Sequence, residues 1–144
     1  MKRLLIALLA VVLLAGCTAP ASVVGPNADT LSQGLRLHDI FEDATKFTYA
    51  YEDLKDSSEA SYDYYSASCA GATLDDFNKA MQKVKDAGFV ENSSYSGLTE
   101  VFNYVGYKEG YQCYMTLIYG CFNMVIRPEN HLELQKAQEA NENE

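Results

Sequence analysis

The stretch TLDDFNKAMQKVKDAGF, residues 73–89, constrains the fold more than any other part of the chain. Leu74, Phe77, Ala80, Met81 and Val84 recur at helical spacing, so they line one side of a helix whose other side is charged. Thr73 stands where an N-cap hydroxyl is wanted, and Asp76 three residues on imitates a capping box. Asp75 and Asp76 suit the positive end of the helix dipole, while Lys83 and Lys85 suit the negative end. Gly88 is the expected left-handed stop, with Phe89 folding back onto the last turn. A helix with a single apolar stripe needs another layer against which to bury it.

Residues 98–127 supply that layer. The segments 98–107, 111–118 and 121–127 read as three antiparallel strands. Lys108-Glu109-Gly110 reads as a three-residue hairpin turn with Gly110 in the left-handed position. That turn sets Val105 opposite Cys113 and Val101 opposite Leu117. The Tyr119-Gly120 turn pairs Leu117 with Phe122, Met115 with Met124, and Cys113 with Ile126. The resulting face is apolar, and Gln112, Tyr114, Thr116, Asn123 and Arg127 fall on the other. Upstream, Phe47, Tyr49 and Tyr51 alternate with Thr48 and Ala50. Tyr62 and Tyr64 alternate again after the polar turn Lys55-Asp56-Ser57-Ser58, which predicts an N-terminal hairpin. In residues 29–43, Leu31, Leu35 and His38 predict a short helix capped by Asp29, although Gly34 weakens it. Pro128 ends the sheet, and the remainder reads as a frayed helix in a solvated tail. The expected fold is α+β: an amphipathic helix packed on an antiparallel β-meander, with an N-terminal hairpin.

The front of the chain is of another kind. Met1-Lys2-Arg3 is basic, Leu4 to Leu14 is wholly apolar, and Ala15-Gly16-Cys17 closes the run. This is the layout of a secretory signal, too short for the ~20 apolar residues of a membrane span. Leu14-Ala15-Gly16-Cys17 resembles the lipobox of bacterial lipoprotein precursors. The resemblance implies cleavage before Cys17, a thioether-linked diacylglycerol on its sulfur, and an acyl chain such as palmitate on its new amino group. One acyl chain binds a bilayer only marginally, so two or three on one residue make a lasting anchor. The resemblance also implies the outer membrane of a two-membrane bacterium, because Thr18 replaces the Asp that retains such proteins in the inner one. The body then faces the periplasm or the cell surface; in a one-membrane bacterium the anchor lies in the only membrane there is. Residues 18–28 are small and uncharged, with two prolines and a glycine, and would reach roughly 35–40 Å when extended. The expected organisation is a signal peptide at 1–16, lipidated Cys17 and tether at 17–28, a single globular domain at 29–128, and a polar tail at 129–144.

Removing residues 1–16 takes away Lys2 and Arg3 and leaves 9 basic against 20 acidic residues, a net charge of −11. Such a chain lacks the basic footprint that nucleic acid demands and is repelled by anionic headgroups. All eleven tyrosines lie between Tyr49 and Tyr119. They suit either a half-buried sheet or an exposed binding face, and only burial separates the two. With Cys17 spent on lipid, Cys69, Cys113 and Cys121 remain. Outside the cytoplasm thiols tend to pair. The strand register points Cys113 and Cys121 to opposite faces, so an intramolecular disulfide would join Cys69 to Cys113 or to Cys121. Spacing argues against a zinc site: there is no CxxC, and His38 and His131 lie far from the cysteines.

No nucleophile motif, zinc-protease motif or phosphate-binding glycine loop occurs. Asp75-Asp76 sits where helices begin, Cys69 has no histidine near it in sequence, and His38 lies on a weak helix. No catalytic residue, metal or cofactor is therefore expected, apart from the covalent diacylglycerol and N-acyl lipid on Cys17. The leading expectation is a lipid-anchored envelope lipoprotein that binds a protein partner without catalysis. One alternative is an immunity or exclusion lipoprotein whose acidic, tyrosine-rich surface blocks a basic toxin or an incoming phage or conjugation component. The other is a hydrolase, which would require Cys69, His38 and an acid to meet in one cleft.

Overall fold

A computed structural model describes residues 25–143, so Cys17 and the lipobox lie outside the described residues. The chain forms α1 (Ala28–Leu31), α2 (Leu37–Ile40), a 3-10 turn (Ala44–Lys46), β1 (Tyr49–Lys55) and β2 (Tyr64–Ala70). It continues through α3 (Leu74–Asp86), β3 (Glu91–Leu98), β4 (Val101–Lys108), β5 (Tyr111–Ile118), β6 (Cys121–Pro128) and α4 (His131–Glu142). The six strands make one antiparallel sheet in the order β1-β2-β6-β5-β4-β3. The fold is α+β, with the expected N-terminal hairpin, β1–β2, added to the free side of β6.

The helix over residues 73–89 forms for the reasons its sequence gives. The Asp76 N–H donates to the Thr73 hydroxyl at 3.2 Å, and the Thr73 N–H donates back to the Asp76 carboxylate at 2.9 Å, closing the capping box. Gly88 takes φ 96°; its N–H donates to the Lys85 carbonyl and that of Phe89 to the Val84 carbonyl. Phe77, Ala80, Val84 and Phe89 are fully buried. Each large side chain so buried contributes about 1.5–3 kcal/mol. Leu74 is 41% exposed, so the stripe is narrower at its start than its spacing suggests.

α3 lies over β5, while α1 packs on β2 and β6. Between them they cover one face of the sheet, where Tyr65, Ala67, Cys69, Phe122, Met124, Ile126, Cys113, Met115, Leu117 and Tyr104 form the core. Asp63 ties the start of the body to the sheet, accepting from the Ala28 N–H at 2.6 Å and the Tyr111 hydroxyl at 2.9 Å. Glu52 accepts from the Leu37 N–H and the Tyr65 hydroxyl, holding α2 against the β1 edge.

Three sequence expectations are corrected. The pairing of β5 with β6 is as expected, but β4 is shifted by one residue. Lys108 pairs with Tyr111 across a two-residue turn, with Glu109 at φ 52° and Gly110 at φ 78°. Val105 therefore faces Tyr114, and Phe102 rather than Val101 faces Leu117. A one-residue slip sends every side chain of a strand to the opposite face. The core takes Phe102, Tyr104 and Gly106, because the end of α3 lies on them. A Cβ on Gly106 would come within 2.1 Å of the Phe89 carbonyl oxygen. The Tyr104 hydroxyl donates to that same oxygen at 2.7 Å, and the Lys108 ammonium donates to the Ala87 carbonyl at 2.7 Å.

The second correction is in residues 29–43, where two single-turn helices replace the expected one. Asn27, not Asp29, caps the first, and Gly34 at φ 77° turns the chain between them. Asp29 instead pairs with Arg36, and Leu37 and Ile40 are buried while His38 faces solvent. The third concerns the thiols. Cys69, Cys113 and Cys121 are all free. Cys69 and Cys113 share the core face but lie two strands and four residues apart, through the pairs Cys69–Phe122 and Cys113–Ile126. Cys121 pairs with Ala70, whose face is the opposite one. Disulfide geometry, with Cβ atoms about 3.8 Å apart, is out of reach for Cys69 with either partner.

Candidate interaction surface

The second face of the sheet follows from the register, because directly paired residues point the same way. At one end it carries the row Tyr49, Ala70, Cys121, Ile118, Val101, Leu98. The next row is Tyr51, Ser68, Asn123, Thr116, Asn103, Ser96, and the third is Asp53, Ser66, Val125, Tyr114, Val105, Ser94. Lys55, Tyr64, Arg127, Gln112 and Tyr107 complete the other end. The start of α4 only borders this face, where Glu129, Asn130 and Glu133 meet Asn92, Ser94, Val105 and Tyr107 in a shallow groove.

Burial separates the two roles open to tyrosine. Tyr65 and Tyr104 are core residues at 0% and 2% exposure. Tyr49, Tyr51, Tyr64, Tyr107 and Tyr114 belong to the open face, where the Tyr49 and Tyr51 rings stack at 6.5 Å. The polar end is held by its own hydrogen bonds. Tyr64 donates to Asp53 at 2.7 Å, which pushes its phenol up to about 12, and Gln112 donates to the Tyr107 hydroxyl at 2.9 Å. The Tyr114 hydroxyl donates to Asn103 at 3.3 Å.

The apolar end is open. Leu98 is 79% exposed and Tyr119 74%, and Tyr49, Ile118 and Leu74 join them. Of these, Leu74 and Tyr119 line a cavity of about 420 Å³ together with Ala72, Glu100, Phe102 and Leu117. Apolar groups gathered this way mark interaction surfaces more often than scattered ones do. This apolar end lies a strand's length from Ala28, where the tether meets the body.

One group of five carboxylates lies away from the open face. The charged side chains in the rows of the open face are Asp53, Glu91, Lys55 and Arg127, and Glu129 and Glu133 border it beside Tyr107. The group of five gathers on the helix side, around a groove of about 470 Å³ between Asp39–Lys46 and α3. Asp39, Glu42, Asp43, Asp76 and Asp86 line it, with Lys46, Lys79 and Lys83. Most of these charges are already engaged. Lys46 donates to Asp76 and lies 5.0 Å from the Phe47 ring centre, Gln82 donates to Asp86, and the Thr45 N–H donates to Asp43. Burial pushes the Asp76 carboxyl up, but the donors Lys46 and Thr73 outweigh it and hold it below the usual carboxylate range.

The residues weighed for catalysis do not gather. Cys69 is buried, and desolvation together with nearby Asp76 raises its thiol to about 11, away from the thiolate a nucleophile needs. His38 is on the surface beside Asp39, and neither Cys69 nor His38 lines the groove on the helix side. Asp75 and Asp76 part company, the first to Lys79 at 3.0 Å and the second to the cap and Lys46. His131 packs on the Tyr62 ring at the far end of the sheet. Among the described residues, no group of three or more His, Cys, Asp or Glu side chains is placed to hold a metal ion.

The sequence missed β3, and with it one border of the open face. Glu91–Leu98 is exposed at every position, so no hydrophobic alternation announces it.

One comparison with known proteins bears on this chain. Residues 1–18 match the family model of the prokaryotic membrane lipoprotein lipid attachment site. The chain thus carries a bacterial lipoprotein signal with a lipobox, which anchors it in the cell envelope through lipid. Among the described residues no helix is long and apolar enough to cross a membrane. Comparison with curated proteins and with solved structures returns no match.

Proposed function

We propose that this envelope lipoprotein is a non-catalytic binding module, held at the outer membrane by the lipid on Cys17 and gripping a protein through the open face of its sheet. The observation that carries the reading is that face itself: five tyrosines and an apolar row, left uncovered by the described helices, with the few charges of its rows balanced in sign and kept to its polar end. Tyrosine gives a large, rigid contact with a polar tip, and depletion of charge is typical of interface centres. Thr18 after the lipidated cysteine supports the outer membrane. Residues 18–28 are long enough, at roughly 35–40 Å when extended, to let the body stand clear of the headgroups that its charge repels.

The test is site-specific photocrosslinking in native membranes. A benzophenone side chain at Tyr51 or Ile118 is expected to give a discrete adduct, and one at Lys79 on the helix side to give none. Equal labelling from both sides, or none from either, overturns the reading. Cys17→Ser is expected to leave unprocessed precursor, and normal maturation of that variant would refute the anchor.

A further inference from the structure

The open face has dimensions and a symmetry that say what covers it. Six strands about 4.8 Å apart and seven or eight residues long, at about 3.3 Å per residue, span roughly 29 by 25 Å, or about 700 Å² in plan. A stable interface buries about 800 Å² on each partner. The face is thus about the size of one partner's share of such an interface. Two copies of a chain carrying −11 would repel one another across most of their surfaces. The rows of the open face carry two acidic and two basic side chains, Asp53, Glu91, Lys55 and Arg127, so two copies can approach there without net repulsion.

The middle of the six-strand order falls between β6 and β5. A two-fold axis laid there along the strands sets β6 of one copy on β5 of the other, β2 on β4 and β1 on β3, while each row meets itself. Cys121 then faces Ile118 of the second copy, Ala70 faces Val101 and Tyr49 faces Leu98. Asn123 faces Thr116, Ser68 faces Asn103 and Val125 faces Tyr114. At the polar end, Lys55 comes toward Glu91 of the second copy and Arg127 toward Gln112. A two-fold across the strands would instead press the apolar row onto Lys55 and Arg127. Two sheets meeting face to face at about 10 Å, aligned within about 30°, form a familiar sandwich core.

We infer that the open face takes a second copy of this chain, packed sheet on sheet about a two-fold axis running between β5 and β6. The inference rests on reading the face as an interface and names its occupant. The unit in the envelope is then a dimer held by two lipidated termini. The apolar ends, with Tyr49, Cys121, Ile118 and Leu98, meet at the end of the sheet away from Ala28.

The test uses the full-length lipoprotein in native membranes. Ser68→Cys and Asn103→Cys are introduced together in a Cys121→Ser background and treated with a short bismaleimide. Within one chain these positions lie three strands apart, about 14 Å, too far for a short linker, whereas across the two-fold they face each other. The expected product has twice the mass of the chain. Neither single-cysteine variant should give it, because each position lies well off the axis from its own copy. Adding Tyr114→Asp, which sets two carboxylates near the axis on a surface that folding does not bury, should cut that product by at least about tenfold. A monomer-sized product from the double variant, with Tyr51 photocrosslinking still capturing a different protein, overturns the second copy and leaves the face an interface. Failure of both crosslinks overturns both readings. Equal dimer yield from the single-cysteine variants overturns the two-fold.

Discussion

The two faces of one sheet have been put to opposite uses. On the covered face Phe122, Met124, Ile126, Cys113, Met115 and Leu117 lie under α1 and α3, each no more than 3% exposed. On the open face their immediate neighbours along the same strands, among them Tyr114, Ile118, Cys121 and Asn123, stand exposed. Strand pairing supplies the same backbone hydrogen bonds to both faces, so the difference lies wholly in the side chains. Antiparallel sheets tolerate a solvated face when that face is polar. Here it is mixed, with a hydrogen-bonded polar end and a bare apolar end. Folding accounts for the covered face and leaves the composition of the open one unexplained, which is why function is sought there.

That contrast can be broken by substitution. Phe77→Ala, near the start of α3 on its buried side, should cost about 3–5 kcal/mol and lower the thermal midpoint on the order of 10 °C in calorimetry. Gly106→Ala should cost about 1–3 kcal/mol in urea titration, because its methyl group collides with the backbone of Phe89 rather than with a movable side chain. A neutral result would mean that the end of α3 does not bear on β4. Thr73→Ala should lose about 1 kcal/mol with the capping box.

Asp76→Asn sharpens the same helix end through pH. The Asp76 carboxyl is held below its ordinary value in the folded state, so the unfolded chain binds the proton more readily. Its contribution is present above about pH 4 and is lost as pH falls through the folded value. The variant should flatten the acid limb of a stability–pH curve measured from pH 2 to 7. An unchanged slope would show that the Lys46 contact is not holding the charge.

On the open face, Tyr51→Ala should change stability by no more than about 0.5 kcal/mol while abolishing capture of the partner. A large loss of stability would show that Tyr51 belongs to the core after all. Native thiol labelling gives a final contrast: Cys121 should react at once with a maleimide, and Cys69 and Cys113 only after unfolding.

The residues that speak most clearly in the sequence are those whose neighbours in the chain are also their neighbours in space. Thr73 and Asp76 bond each other, Gly88 turns the chain that Phe89 continues, and the Tyr119-Gly120 turn sets the register of β5 and β6. The Glu109-Gly110 turn illustrates the opposite case. A two- or three-residue loop fits the local sequence equally well, and the choice falls to Gly106 and Tyr104 meeting the end of α3 from sixteen or so residues away. β3 was silent because an edge strand lying beyond the helix buries neither face and needs only a neighbour with free backbone groups. The Tyr-rich composition was visible, but nothing in it divides Tyr65 from Tyr64, adjacent residues sent to opposite sides of one strand.

The sequence by itself determined the lipid anchor, the capped amphipathic helix, the β5–β6 register and the α+β class. Each of these is written in short-range order: an apolar run ending in Leu-Ala-Gly-Cys, a helical stripe, a two-residue turn. Tertiary structure decided the register of β4, the existence of β3, the division of the tyrosines between core and surface, and which face of the sheet stays open. The physical reason is that a strand presents two faces to its surroundings, and only the elements that arrive from elsewhere in the chain settle which of them is buried.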